Sequence, residues 1–142
     1  MALLKRLYLS PQPVVIAVTD HAVAMGALLL LAGDARVGLT GDFRIGLNET
    51  AIGLALPQPA LELARDRLAP TVLQRATVNA ELFSPASAVT AGYLDRTAGP
   101  ADFDTAVTHA AQALAELDAT AFAETKRQVR QPTLDRVGAL ES

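Results

Sequence analysis

The chain has 142 residues, 51% of them hydrophobic and 19% charged, with a formal net charge of -3; that is enough for one domain with a real core, too little for two ordinary ones, and not the composition of a disordered chain. There is no Cys and no Trp, only two His (His21 and His109), and 4% aromatic residues. Disulfides, thiolate catalysis and Cys-based metal sites are therefore excluded, a histidine metal site is not expected, and neither the charge nor the aromatic content suits a nucleic-acid partner.

Met1–Leu9 places Leu3, Leu4 and Leu7 at helical spacing and stops before Pro11, so it reads as the tail of a helix. Pro13–Val18 is a short β-branched run suited to a strand buried on both faces. Ala22–Gly33 is apolar all round, as a helix surrounded by protein would be, with Gly33 placed to end it. Its apolar run, Ala22–Ala32, is roughly half of the about 20 residues that cross a bilayer as a helix, so no membrane partner is expected. Lys5 and Arg6 precede apolar residues, but Pro11 and Pro13 follow too soon for a signal peptide, which leaves a cytoplasmic protein as the expectation.

Ala35–Leu39 and Phe43–Leu47 read as two further strands around the turn Thr40-Gly41-Asp42, and the order strand, helix, strand predicts an α/β unit. Pro59 suits the first turn of a helix through ALELARDRL, which Ala69-Pro70 stops before TVLQRATVN opens another. Ser84-Pro85 starts a helix through Ala91, closed by Gly92, and Tyr93–Thr97 reads as a strand. Ala101–Leu117 is an amphipathic helix with Phe103, Val107, Ala110, Ala111 and Leu114 on one face, and Thr120–Arg130 is a last helix stopped near Pro132.

Two places could carry chemistry. Where the strand ending at Val18 gives way to the apolar helix, Ala24-Met25-Gly26 offers unpaired backbone amides with the positive helix end behind them, the arrangement that stabilises an oxyanion. Small Ala22 and Ala24 keep the entrance open and Gly26 permits close backbone approach; the alternative is that these are small residues where a helix packs on a sheet. Glu49, ahead of the apolar AIGLAL, could shuttle a proton at the rim of an apolar pocket, or could favour a helix start that Asn48 caps. His21, beside Asp20, reads as a structural hydrogen-bonding residue, with catalysis the lesser alternative. Asp34 reads as a helix-end residue, and Lys126, Arg127 and Arg130 as a solvated helix face, with contact to a ligand phosphate the lesser alternative. No role follows from sequence for Arg36, Arg44 or Arg65.

PQPVVIAVTDHAVAMGALLLLAGDARVG, then FRIGLNETAIGLALP, then SPASAVTAGYLDR resembles, in order and spacing, the central and C-terminal part of the crotonase superfamily, the enoyl-CoA hydratases and isomerases. The resemblance runs from about Pro11 to Lys126. It implies an α/β crotonase-like (ββα superhelix) fold, of which this chain is the C-terminal part, followed by helices. The domain expected is a single partial one over 1–142, with its core at about 11–98 and C-terminal helices at about 100–142.

The resemblance also implies an acyl-CoA thioester as substrate, no metal or redox cofactor, and a homotrimer or hexamer. The Met25 N–H becomes the second oxyanion donor, Glu49 the acid/base carboxylate, and Ala22, Ala24, Gly26 and Leu28 the substrate-binding surroundings. A second hydratase glutamate falls on Leu28, which favours double-bond isomerisation by one carboxylate over hydration. Family members carry further ββα turns upstream of Pro13, which supply the other oxyanion donor. The expectation is an N-terminally truncated chain, weak or inactive alone, whose alternatives are an enoyl-CoA hydratase or a non-catalytic oligomerisation subunit.

Overall fold

The computed structural model describes residues 2–141, with side chains through Gly138; Met1 and Ser142, which the expected helix and domain include, lie outside the described residues. The first helix, α1 (Ala2–Tyr8), ends ahead of Pro11 as expected and buries Leu4 and Tyr8. It leads into β1 (Val15–Val18). The apolar segment then divides: Ala22–Val23 form a short strand, β2, and the helix α2 covers Met25–Ala32. The helical reading of Ala22 and Val23 is thereby corrected, because these residues pair in parallel with Ile45–Gly46 (β4). Ala24 makes the turn between strand and helix.

Two small sheets organise the chain. One is wholly parallel, β1-β3-β6, where β3 is Ala35–Leu39 and β6 is Arg96–Ala98; Val15 lies opposite Ala35, and Val37 opposite Arg96. The other is β2-β4-β5, with β5 (Leu82–Phe83) antiparallel to β4, so that Ile45 faces Phe83. Crossover helices of the parallel arrangement cover the sheets, which is why α2 is apolar on all sides. Ala27, Leu30, Leu31 and Ala32 are fully buried among Ile45, Leu47, Ala60, Ala64, Tyr93 and Leu94.

The helices after Pro57 are α3 (Gln58–Arg67), α4 (Leu73–Ala76), α5 (Pro85–Ala91), α6 (Phe103–Ala115) and α7 (Ala119–Glu141). At the start of α5 the Ser84 hydroxyl accepts the Ser87 N–H at 3.2 Å. At its end Gly92 takes a left-handed φ of 109°, with its N–H on the Ala88 carbonyl at 3.1 Å. A Cβ at Gly92 would stand 2.7 Å from the Arg67 carbonyl oxygen, so glycine is required there for space as well as for conformation. The strand expected at Tyr93–Thr97 forms later, at Arg96–Ala98, because Tyr93 and Leu94 still pack beneath α5 and Leu94 meets Gly38.

Two further expectations are corrected on the outer helices. On α6 the buried stripe is Phe103, Ala106, Val107 and Ala110 over Val37 and Ala98, while Ala111 faces solvent. More notably, α7 continues through Pro132. Proline within a helix removes one hydrogen bond and costs about 3 kcal/mol. Here Pro132 is exposed, and α7 is anchored on both sides of it: by Lys126 and Arg130 before, and after by Thr133 and by Arg136, whose Nε donates to Glu62 Oε2 at 2.7 Å. Among the described residues no helix is long and apolar enough to cross a membrane.

Candidate active site

The strand-to-helix turn is strained. Ala24 has φ 57° and ψ -117°, the conformation of the first central residue of a type II′ turn, which glycine ordinarily occupies. Its N–H is tied to the Gly46 carbonyl at 3.0 Å, and its own carbonyl accepts the Leu28 N–H at 3.1 Å, the first hydrogen bond of α2. The Met25, Gly26 and Ala27 amides precede that bond and have no partner within the helix. Ala22 is buried on β2, Leu28 is buried in the core, and the Met25 side chain is 49% exposed. A Cβ on Gly26 would meet only the Ala22 Cβ, at 3.7 Å, so contacts within the chain do not demand glycine there.

Glu49 is the third residue after β4 and begins a short 3-10 turn, Thr50–Ile52. Its backbone carbonyl accepts the Ile52 and Leu54 N–H groups at 3.1 and 2.9 Å, but its carboxylate makes no capping bond. Oε2 is instead buried without a hydrogen-bond partner, and the same holds for Asn48 Oδ1 and the Tyr93 hydroxyl. Such orphaned atoms are rare in folded proteins and concentrate at sites of function. Tyr93 is fully buried, and burial raises its pKa far above the ordinary tyrosine value, with the Glu49 charge adding to the shift.

Register brings these residues together. Ala22–Val23 and Ile45–Gly46 are neighbours in one sheet, so the chain leaves β2 for the start of α2 and leaves β4 for Glu49 from adjacent strands. A backbone-amide cluster and a carboxylate emerging from neighbouring parallel strands can hold an oxyanion and move a proton.

His21 lies outside that arrangement. It is exposed, its Nδ1 accepts the Arg44 N–H at 2.9 Å, and its ring stands edge-on to Phe43. The solvated-face reading of Lys126, Arg127 and Arg130 on α7 is corrected for two of these three. Lys126 and Arg130 are buried against Asp34, at 2.7 and 3.0 Å, and only Arg127 is exposed, paired with Glu124. Asp34 also accepts the Val14 N–H at 2.8 Å, so it ties α7 to the start of β1. Beside it Arg36 is buried, with its Nε on Asp95 at 3.0 Å and its Nη1 on the Leu30 carbonyl at 3.2 Å. Burial alone would raise the Asp95 pKa, but hydrogen bonds and charge from Arg36, with further charge from Arg67, hold it below the usual carboxylate range. Sequence reasoning missed Tyr93, Arg36 and the Asp34 cluster, since each depends on a partner far along the chain.

An α/β chain in which adjacent parallel strands deliver an oxyanion-type helix start and a carboxylate has the crotonase fold. The family profile described as enoyl-CoA hydratase/isomerase matches residues 1–139. A crystal structure of an enoyl-CoA hydratase/isomerase family protein from Pseudomonas syringae superposes with a TM-score of 0.94 at 40% identity, over 97% of this chain and 60% of that one. An enoyl-CoA isomerase from Mycobacterium tuberculosis gives 0.91 at 40% identity, over 97% and 61%. Human mitochondrial delta3-delta2-enoyl-CoA isomerase gives 0.91 at 26% identity, over 98% and 54%. No curated protein matches the chain significantly. The chain belongs to the enoyl-CoA hydratase/isomerase family, and it spans about 60% of the length of the Pseudomonas protein.

Proposed function

We propose that the site serves double-bond isomerisation of an acyl-CoA thioester by a single carboxylate. The observation that carries the reading is that Glu49 leads off the strand beside the α2 amides with its carboxylate unclaimed, while the position for a second carboxylate is Leu28, apolar and buried. Glu49 takes a proton from C2 of a 3-enoyl thioester, the electron pair moves toward the thioester oxygen, and the Met25 N–H holds the charge that develops there. Return of the proton to C4 leaves the 2-enoyl product. Ala22, Ala24, Gly26 and Leu28 shape the surroundings of the thioester, and no metal or redox cofactor takes part.

The other oxyanion donor belongs to the portion of the fold that this chain does not span. Loss of one such donor costs about 10²–10³ in rate, so turnover belongs to the complete fold, assembled as a homotrimer or hexamer in the cytoplasm. The test is incubation of the full-length protein with 3-enoyl-CoA and with 2-enoyl-CoA, alongside Glu49→Gln. Isomerisation that exceeds hydration and is lost in the variant is expected; dominant hydration, or activity indifferent to Glu49→Gln, overturns the reading. A hydratase is the alternative within the same family.

A further inference from the structure

Tyr93 has a hydroxyl with nothing to bond. It is fully buried, and its ring packs on Phe83 with centroids 5.9 Å apart. Phe83 faces Ile45 across the β4–β5 pair, and beyond β4 the chain continues through the buried Leu47 to Glu49. Ile45, Leu47, Phe83 and Tyr93 belong to one buried cluster, and Glu49, with Oε2 buried, lies two residues beyond Leu47. The phenol has a donor without an acceptor, and Glu49 Oε2 is an acceptor without a donor.

We propose that the Tyr93 hydroxyl is the positioning group for Glu49: it donates to Oε2 and fixes the carboxylate so that Oε1 meets the substrate carbon. The last torsion of a glutamate side chain is soft, so the carboxylate turns toward a donor at little torsional cost. A hydrogen bond from a neutral donor to a carboxylate in an apolar setting is strong, and it confers geometry as well as charge stabilisation. The upward pKa shift of Tyr93, caused by burial first and by Glu49 second, is consistent with the proximity and keeps the phenol protonated as a donor.

The inference rests on the role given to Glu49 above, and its test separates the two. With only two tyrosines, Tyr8 and Tyr93, a chain labelled at tyrosine Cζ gives two signals, and Tyr93→Phe identifies one by its loss. Glu49→Gln is expected to move the Tyr93 signal and leave Tyr8 in place; a Tyr93 signal unmoved by Glu49→Gln overturns the pairing whatever the activity. In the full-length enzyme, Tyr93→Phe is expected to lower kcat about ten- to hundred-fold with KM for 3-enoyl-CoA little changed. An unchanged kcat overturns the positioning role, whereas a wild type that does not isomerise overturns the proposed function and leaves the signal as the measure of the pairing.

Discussion

Asp34→Asn is the sharpest test of how the last helix is held. The Asp34, Lys126 and Arg130 side chains are 7%, 7% and 5% exposed, with the cations at 2.7 and 3.0 Å from the carboxylate. Asparagine keeps the shape and retains an oxygen for the Val14 N–H. Arg130 keeps the Tyr8 carbonyl at 2.6 Å and the Gly33 carbonyl at 3.4 Å. Oδ2 accepts both the Val14 N–H and the Lys126 ammonium, so the oxygen that asparagine keeps there serves both; what is lost is the negative charge that balances the two cations, and the amide group in place of Oδ1 faces Arg130 donor to donor. Removing one partner of a buried pair costs about 3–5 kcal/mol, and the surviving bonds place this variant near 3 kcal/mol. At roughly 2–4 °C per kcal/mol, thermal unfolding followed by circular dichroism should drop by about 10 °C, with the urea m-value unchanged. Burial already lowers the Lys126 pKa, against the pull of Asp34; without Asp34 it falls further. A lysine depressed in the folded state is tolerated better as pH rises toward its unfolded value, so the deficit against wild type should narrow between neutral pH and pH 10.5. A loss below about 0.5 kcal/mol would refute the claim that this cluster is desolvated.

Ala24→Gly should raise stability by about 1 kcal/mol, because the strain of its positive φ outweighs the chain entropy that glycine adds; a lowered midpoint in urea would contradict the geometry of that turn. Gly92→Ala should cost about 2 kcal/mol or more, since its φ of 109° is retained only with the methyl pressed against the Arg67 carbonyl. Tyr8 is pushed up to about 12 by burial first and then by Asp66. A raised phenol pKa contributes stability that is complete below pH 10 and lost as pH rises toward 12, so base unfolding should coincide with the rise in tyrosinate absorbance. Asp95 acts at the other end of the scale: its lowered pKa stabilises the fold above pH 3.8 and ceases to as pH falls further, so Asp95→Asn should flatten the acid limb of stability.

What could be read from sequence was whatever the chain announces locally. Ser84-Pro85 and Gly92 bracket α5 because a cap and a left-handed stop act on their immediate neighbours. Val15–Val18 and Ala35–Leu39 announce strands by β-branching and apolar runs, but burial on both faces holds only for the centre of β3; in β1 only Val18 is buried and Ala17 is exposed. The two-residue strand β5 gave no such signal, since its identity comes from pairing with β4. Pro132 misled because its local cost is offset by Glu62 on α3 and Asp34 after α2, neither of them adjacent in sequence. At the site, Met25 and Glu49 stood out only through the order of the surrounding segments, as their own spacing is weak. Tyr93 stayed hidden: in sequence it is one more large apolar residue, and only burial exposes the predicament of its hydroxyl.

The contact of Arg130 with Tyr8, hydrogen-bonded to its carbonyl and lying 4.5 Å over its ring, joins the last helix to the first. During synthesis α1, β1, α2 and β3 all emerge with the Asp34 carboxylate still open to water. The clasp closes only once residues 126–136 have left the ribosome. Docking of α7 is therefore a late step of folding, and a nascent chain stopped short of α7 presents an unfastened core to chaperones.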